Sequence, residues 1–254
     1  MRELNAFIKK EWHEAVASYR VAILVILFIL FGIVNVFTAK YTPEIISYVV
    51  SEEFAKAMPT PSLIDAWLQF YKNIGQMGII VAVILFSGTL TNEYNHGTLT
   101  LLVTKGLTRW KILVAKFFMN TAVFTIAYLL GILVTFVYGK IYFKSIELPH
   151  IELGLISLWV FMLFLLLLVN LGSVLLKSNY LVLLFVGSIN VVLMVLNFIP
   201  DIKKYNPITL FTCGTPLLQG SLEVTDVLPA IYVVIGIGIL IKFLTIILFN
   251  KKSL

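Results

Sequence analysis

The order of polar and apolar positions divides the chain into long apolar runs separated by polar joints. Apolar stretches fall at residues 21–39, 74–91, 112–138, 153–176, 181–199 and 229–249. Each is close to the roughly 20 residues that an α-helix needs to cross a hydrocarbon core. Their continuity excludes barrel strands, which alternate in segments of about ten residues. A backbone in lipid must satisfy its own hydrogen bonds, so the pattern predicts an all-α integral membrane protein with six transmembrane helices. An even number of spans puts both termini on one side.

The joints have patterns of their own. In residues 1–20, "MRELNAFIKKEWHEAVASYR", the residues Leu4, Phe7, Ile8, Trp12, Ala15, Val16 and Tyr19 recur at helical spacing. This predicts an amphipathic helix along the membrane interface before the first span. Residues 40–73 contain Pro43, Pro59 and Pro61 and read as an outer loop with two short amphipathic pieces. Residues 200–228 hold an apolar segment of about ten residues, too short to cross, which suits a re-entrant segment before span 6.

The joint between spans 2 and 3 carries the most polar chemistry. In "TNEYNHGTLTLLVTKGLTRW", residues 91–110, Leu99, Leu102 and Val103 form one apolar face of a short helix. Gly106 is placed to end it in the left-handed conformation, and Thr108 to cap the third span. A helix of about eight residues is not stable alone in water. Its apolar face must therefore pack on either the membrane surface or a protein partner.

Composition agrees with the pattern: 60% of the 254 residues are hydrophobic, 13% are charged, and mean hydropathy is +0.99. Arg2, Lys9, Lys10, Arg20, Lys105, Arg109, Lys111, Lys116, Lys177, Lys251 and Lys252 fall on the side of the termini. Lys40, Lys56, Lys72, Lys140, Lys144, Lys203 and Lys204 fall on the other. This bias of eleven to seven predicts that both termini are cytoplasmic. Lys242 lies in the last span near its inner end, within reach of the interface. The net charge of +6 is thus explained by topology and implies no nucleic acid. Residues 1–20 hold Glu3, Glu11 and Glu14 and precede a run long enough to span, so no cleaved signal peptide is expected. Cys213 is the only cysteine, which excludes an intrachain disulfide and a cysteine metal site.

Catalytic signatures do not emerge. "HEAVA" at 13–17 begins like a zinc-protease helix but lacks the second histidine. Glu52 and Glu53 fall in an outer loop with no Arg or His arranged beside them. His13, His96 and His150 are divided between two membrane faces. No phosphate-cradling G-x-x-x-x-G-K-[ST] loop is present. No Asp or Glu lies deep in a span, where a secondary transporter needs an ionisable site. Asn35, Asn120, Asn170, Asn190 and Asn197 fall within or at the ends of spans. They fit hydrogen bonds between helices, or a weakly polar translocation path for which Asn35, Asn190 and Asn197 are the candidates.

The run Glu93-Tyr94-x-x-Gly97-Thr98-Leu99-x-Leu101-Leu102, then Lys105-Gly106-Leu107-x-Arg109-Trp110-Lys111 and Lys116, resembles the loop of ABC-2 type transporter permeases. The N-terminal "KKEW", the six spans and the structured last outer loop extend the resemblance over residues 1–254, as a single transmembrane domain. The resemblance implies a bacterial cytoplasmic-membrane exporter subunit that is not itself an enzyme. Residues 92–110 would hold a cytoplasmic coupling helix that docks on a separate ATPase subunit. Glu93, Gly97, Thr98, Leu99, Leu102 and Lys105 would form the coupling elbow. Lys10, Glu11 and Trp12 would complete the docking surface. Two ATPase copies would bind ATP and Mg, this chain holding no cofactor, beneath a homodimer of the permease. The style of the chain is similar to permeases for amphipathic, antimicrobial or toxin peptides. Polysaccharide, lipid and drug exporters share the architecture, and a secondary transporter is the other class of transport compatible with the residues.

Overall fold

A computed structural model describes residues 2–53, 57, 59–143 and 148–252. Lys56 and Lys144, counted above for the outer face, lie outside the described residues, as does part of the 40–73 segment. The elements, in chain order, are α1 (Arg2–Ala17), α2 (Arg20–Val49), α3 (Leu63–Asn73), a π-helical turn (Ile74–Gly78), α4 (Ile79–Asn95), α5 (Thr98–Thr104) and α6 (Arg109–Tyr142). They continue with α7 (Ile151–Leu175), α8 (Asn179–Leu196), α9 (Pro200–Lys203), α10 (Ile208–Thr212), α11 (Gly214–Leu218) and α12 (Val224–Lys251). Six helices are long and apolar enough to span: α2, α3 to α4 taken through the π turn, α6, α7, α8 and α12.

The outer segment 40–73 departs from the expected loop. The first span continues through Pro43 to Val49, and the second begins at Leu63, well before the expected residue 74. The reason lies in the period. Asp65, Gln69 and Lys72 lower the hydropathy of α3, but they occupy one side of a helix whose other side buries Leu63, Ala66, Trp67, Phe70 and Tyr71. Ser62 and Asp65 form a capping box that starts this helix: the Ser62 backbone N–H and hydroxyl both donate to Asp65 Oδ2 at 2.8 Å.

Aromatic rings fix α2, α3 and α6 around one another. Phe28 meets Phe124 edge-on with centroids 5.7 Å apart, and Tyr128 lies 6.0 Å from Phe70. Three polar tips find partners on other helices. Tyr71 donates its hydroxyl to the Ile151 carbonyl, Tyr128 to that of Leu155, and Trp159 Nε1 to Thr125. In a bilayer such bonds and close packing, rather than hydrophobic burial, hold helices together. The segment between the fifth and sixth spans folds as the short helices α9, α10 and α11, of which α10, α11 and their junction seat Ile208, Leu210, Cys213, Leu217 and Leu218 in the core beside α7.

Candidate functional site

At the face bearing the termini, two glycine turns shape the joint between the second and third spans. Gly97 has φ 69° and would meet nothing within 4 Å if given a Cβ, so conformation rather than space demands glycine there. The Thr98 hydroxyl donates to the Glu93 carbonyl at 3.1 Å, satisfying the end of α4. Gly106, with φ 92°, ends α5 as expected. Its N–H donates to Val103 and that of Leu107 to Leu102, the two bonds of a Schellman cap. Thr108 does occupy the N-cap of α6, but its side chain makes no capping hydrogen bond.

Leu99 is 1% exposed and packs with Phe7, Leu90, Leu107, Ile112, Leu113, Val174 and Phe249. The apolar face of α5 is therefore covered by its own chain, not by the membrane or a partner as the sequence suggested. The short helix is held because its neighbours come from α1, α4, α6, α7 and α12. Leu102 is half-buried, whereas Leu101 is 62% exposed and Lys105 is exposed. Leu101, which the sequence reading did not assign to the elbow, is the apolar side chain that α5 presents outward.

The N-terminal helix shows two stripes where one was expected. Phe7, Glu11 and Ala15 are buried against the bundle, whereas Trp12, Val16 and Tyr19 face outward. Glu11, expected in a docking surface, is 3% exposed and turned inward. No hydrophobic period could show this, because a charged residue occupies the buried stripe. Its partner explains it: Lys116, 1% exposed, donates to both Glu11 carboxylate oxygens at 3.0 Å.

Glu93 closes the cluster. Its Oε1 accepts Lys116 at 3.2 Å and also Lys10, and Lys10 reaches Glu11 at 3.0 Å and Glu14 at 2.7 Å. Arg20 adds a 3.0 Å contact to Glu14. Three helices, α1, α4 and α6, are thereby pinned by alternating charges. Carboxylate oxygens of Glu11, Glu14 and Glu93 lie within 4.8 Å of one another, a spacing that can hold a metal ion. Here Lys10 and Lys116 already supply the positive charge, so the chemistry fits an ion-pair lock rather than a cation site. Burial alone would lower the Lys10 pKa, but hydrogen bonds to Glu14 and Glu93 and the charge of Glu11 outweigh it and raise it. Burial would likewise raise the Glu14 pKa. The Lys10 hydrogen bond and the charges of Lys116, Lys10 and Arg20 instead hold it below the ordinary carboxylate value.

Beside this lock opens a cleft of about 470 Å³, with Lys10, Glu14, Glu93, His96, Leu101 and Lys105 in its lining. On its flank, Tyr94 carries the ammonium groups of Lys252 and Lys177 at 4.6 and 5.2 Å from its ring centroid. Arg109 ties the end of α12 down by donating to the carbonyls of Phe249, Asn250 and Lys252. The second span, the third span and the last helix thus meet at one rim.

The candidate pathway asparagines are not brought together. Asn35 is fully buried and accepts from Asn73 Nδ2 at 2.6 Å, a bond between α2 and α3. Asn197 accepts from Thr209 at the other end of α8. Asn190 lines a substantial opening. This apolar groove of about 690 Å³ lies between α4, α7 and α8, beside the π-helical turn, with Gln76 as its other amide.

Six apolar helices, a short helix between the second and third, and a charged lock beneath them describe a multi-pass membrane protein with a shaped face on the side of its termini. The sequence model of the family described as "ABC-2 family transporter protein" matches residues 6–225, so the chain belongs to that family. It is a transmembrane component of an ABC transporter. The chain is also 23% identical over 164 residues to the uncharacterized transmembrane protein YxlG of Bacillus subtilis (strain 168). That similarity spans 63% of this chain and 64% of the relative, less than two thirds of its length.

Proposed function

We propose that this chain is the permease subunit of an ATP-driven exporter, bound through its terminal face to a separate ATPase that supplies the hydrolysis. The cleft between α1 and α5 carries this reading. It is open, it presents Leu101 and Lys105 outward, and Lys10, Glu14 and Glu93 of the ion-pair lock are in its lining. A push on α5 acts on α4 through Gly97, and on α6 through the packing of Leu99 with Ile112 and Leu113 and through the Glu93–Lys116 contact, so motion beneath the membrane reaches two spans. Family resemblance supplies the stoichiometry: two permeases and two ATPases, in the cytoplasmic membrane with the termini inside. ATP and Mg belong to the ATPase, because this chain has no phosphate loop.

The cargo proposed is an amphipathic peptide. The groove beside α8 is lined almost wholly by apolar side chains, with Gln76 and Asn190 as its amides, which suits a solute already resting in a leaflet. Reconstitution with the cognate ATPase tests both parts. Amphipathic helical peptides are expected to stimulate hydrolysis, and the purified permease alone to show none. Stimulation by a lipid-linked glycan with no response to peptides would replace the cargo. Transport driven by a proton gradient without ATP would overturn the class.

A further inference from the structure

The last span contains a charge that the lock does not use. Lys242 reads in sequence as a side chain able to reach the interface, but its Nζ is buried and has no hydrogen-bond partner. It rests over the ring of Phe117 on α6, 4.4 Å from the centroid. One turn further along α6, on the same face, the Thr121 hydroxyl is also buried without a partner. Among the described residues, no carboxylate bonds to either group. Glu11, Glu14 and Glu93 are engaged with Lys10, Lys116 and Arg20, and the acidic residues of α12 itself stand at its opposite end. An ammonium withdrawn from water without an acceptor is costly, and a ring face offsets only part of that cost.

Depth identifies what can reach it. Lys242 lies about 13 Å along the axis from the Lys251 end of α12, and Phe117 about 12 Å from the Arg109 end of α6, at 1.5 Å per residue. The helices run to 28 and 34 residues, so each exceeds a hydrocarbon core of about 30 Å by 12 Å or more. With each excess shared between the two ends, Phe117 falls near the boundary of the hydrocarbon on the side of the termini and the Lys242 backbone about 7 Å inside it, so the ammonium that rests on the Phe117 ring is carried by its stem toward the level where lipid phosphates begin. We propose that Lys242, with the Thr121 hydroxyl, forms a site between α6 and α12 for the phosphate of an anionic membrane lipid. An anionic oxygen group supplies the missing acceptor for the ammonium and for the hydroxyl proton. The acyl chains remain in the leaflet beside α12, whose outward side, including Leu240, Phe243 and Leu244, is exposed and apolar.

The test compares the full chain in nanodiscs of phosphatidylcholine with increasing phosphatidylglycerol, following thermal unfolding and, by native mass spectrometry, retained lipid. The unaltered protein is expected to be stabilised by phosphatidylglycerol and to retain it. K242Q should need about fivefold more phosphatidylglycerol for the same effect, the loss expected of one lysine at an anionic surface. K242R should keep the response, and T121V should weaken it less than K242Q. T121V leaves the charge intact and gives a readout should K242Q fold poorly. Equal response of K242Q and the unaltered protein overturns the site. Inorganic phosphate reproducing the stabilisation in detergent, without lipid, overturns the lipid assignment.

Discussion

Lys116 and Glu11, 105 positions apart in sequence, form a bidentate ion pair at 3.0 Å from which solvent is almost wholly excluded. The pair joins the first helix to the third span, and Glu93 joins both to the second. Removing one member of a buried pair leaves the others uncompensated, at about 3–5 kcal/mol. K116M is therefore expected to lower the stability of the detergent-solubilised protein by roughly that amount and to release α1 to proteolysis. Adding E11Q to K116M should recover part of the loss, because the stranded carboxylate is then neutral. Identical melting of K116M and the unaltered protein would show that the lock carries no stability.

The pH dependence of the lock follows from its two shifted groups, Glu14 and Lys10. Glu14 sits below its ordinary value of 4.5 in the folded protein, so its contribution is complete above that pH and is lost as pH falls through the folded value. Lys10 sits above its ordinary 10.5, so its contribution is complete below that pH and is lost only as pH rises through the raised value. Attachment of α1 should therefore be constant across neutral pH and weaken below about 4.5. Limited proteolysis of the N-terminal helix at stepped pH measures this. E14Q should blunt the acid transition.

Two neighbouring leucines separate folding from docking. L99D places a charge among Leu90, Leu113 and Phe249 and is expected to impair folding, since an unpaired buried charge costs several kcal/mol. L101D alters an exposed position and should insert and melt normally while losing association with the ATPase and its activity. Co-purification with the ATPase distinguishes the two. Normal association of L101D would remove α5 from the proposed interface.

Sidedness can be read with thiol reagents. Cys213 is 1% exposed, with Sγ donating to the Leu210 carbonyl, so it should resist labelling in the folded protein from either side. In a Cys213→Ser background, a cysteine at exposed Asn95 should label only from the cytoplasm and one at exposed Lys140 only from outside. Labelling of both from one face would contradict the six-span topology.

Hydrophobic run length determined the fold class and the six spans, because a bilayer imposes one length and one backbone solution on any crossing segment. Local backbone chemistry was equally legible. Gly97 and Gly106 bracket α5 because a positive φ is cheap only for glycine, a property of single residues that needs no knowledge of their surroundings. What lay outside the sequence was direction. The period of α1 placed Trp12 with the apolar face and the family resemblance put Glu11 in a docking surface, yet Glu11 is inside and Trp12 outside. Burial of a charge depends on a partner, and Lys116 reaches it only once α6 has packed against α1. Leu99 was expected to meet a partner for the same kind of reason: seven residues of helix show which face is apolar, not what covers it. The length of the second span was hidden because Asp65, Gln69 and Lys72 dilute its hydropathy. Only the packing of Trp67 and Phe70 against neighbouring helices makes that segment part of the bundle.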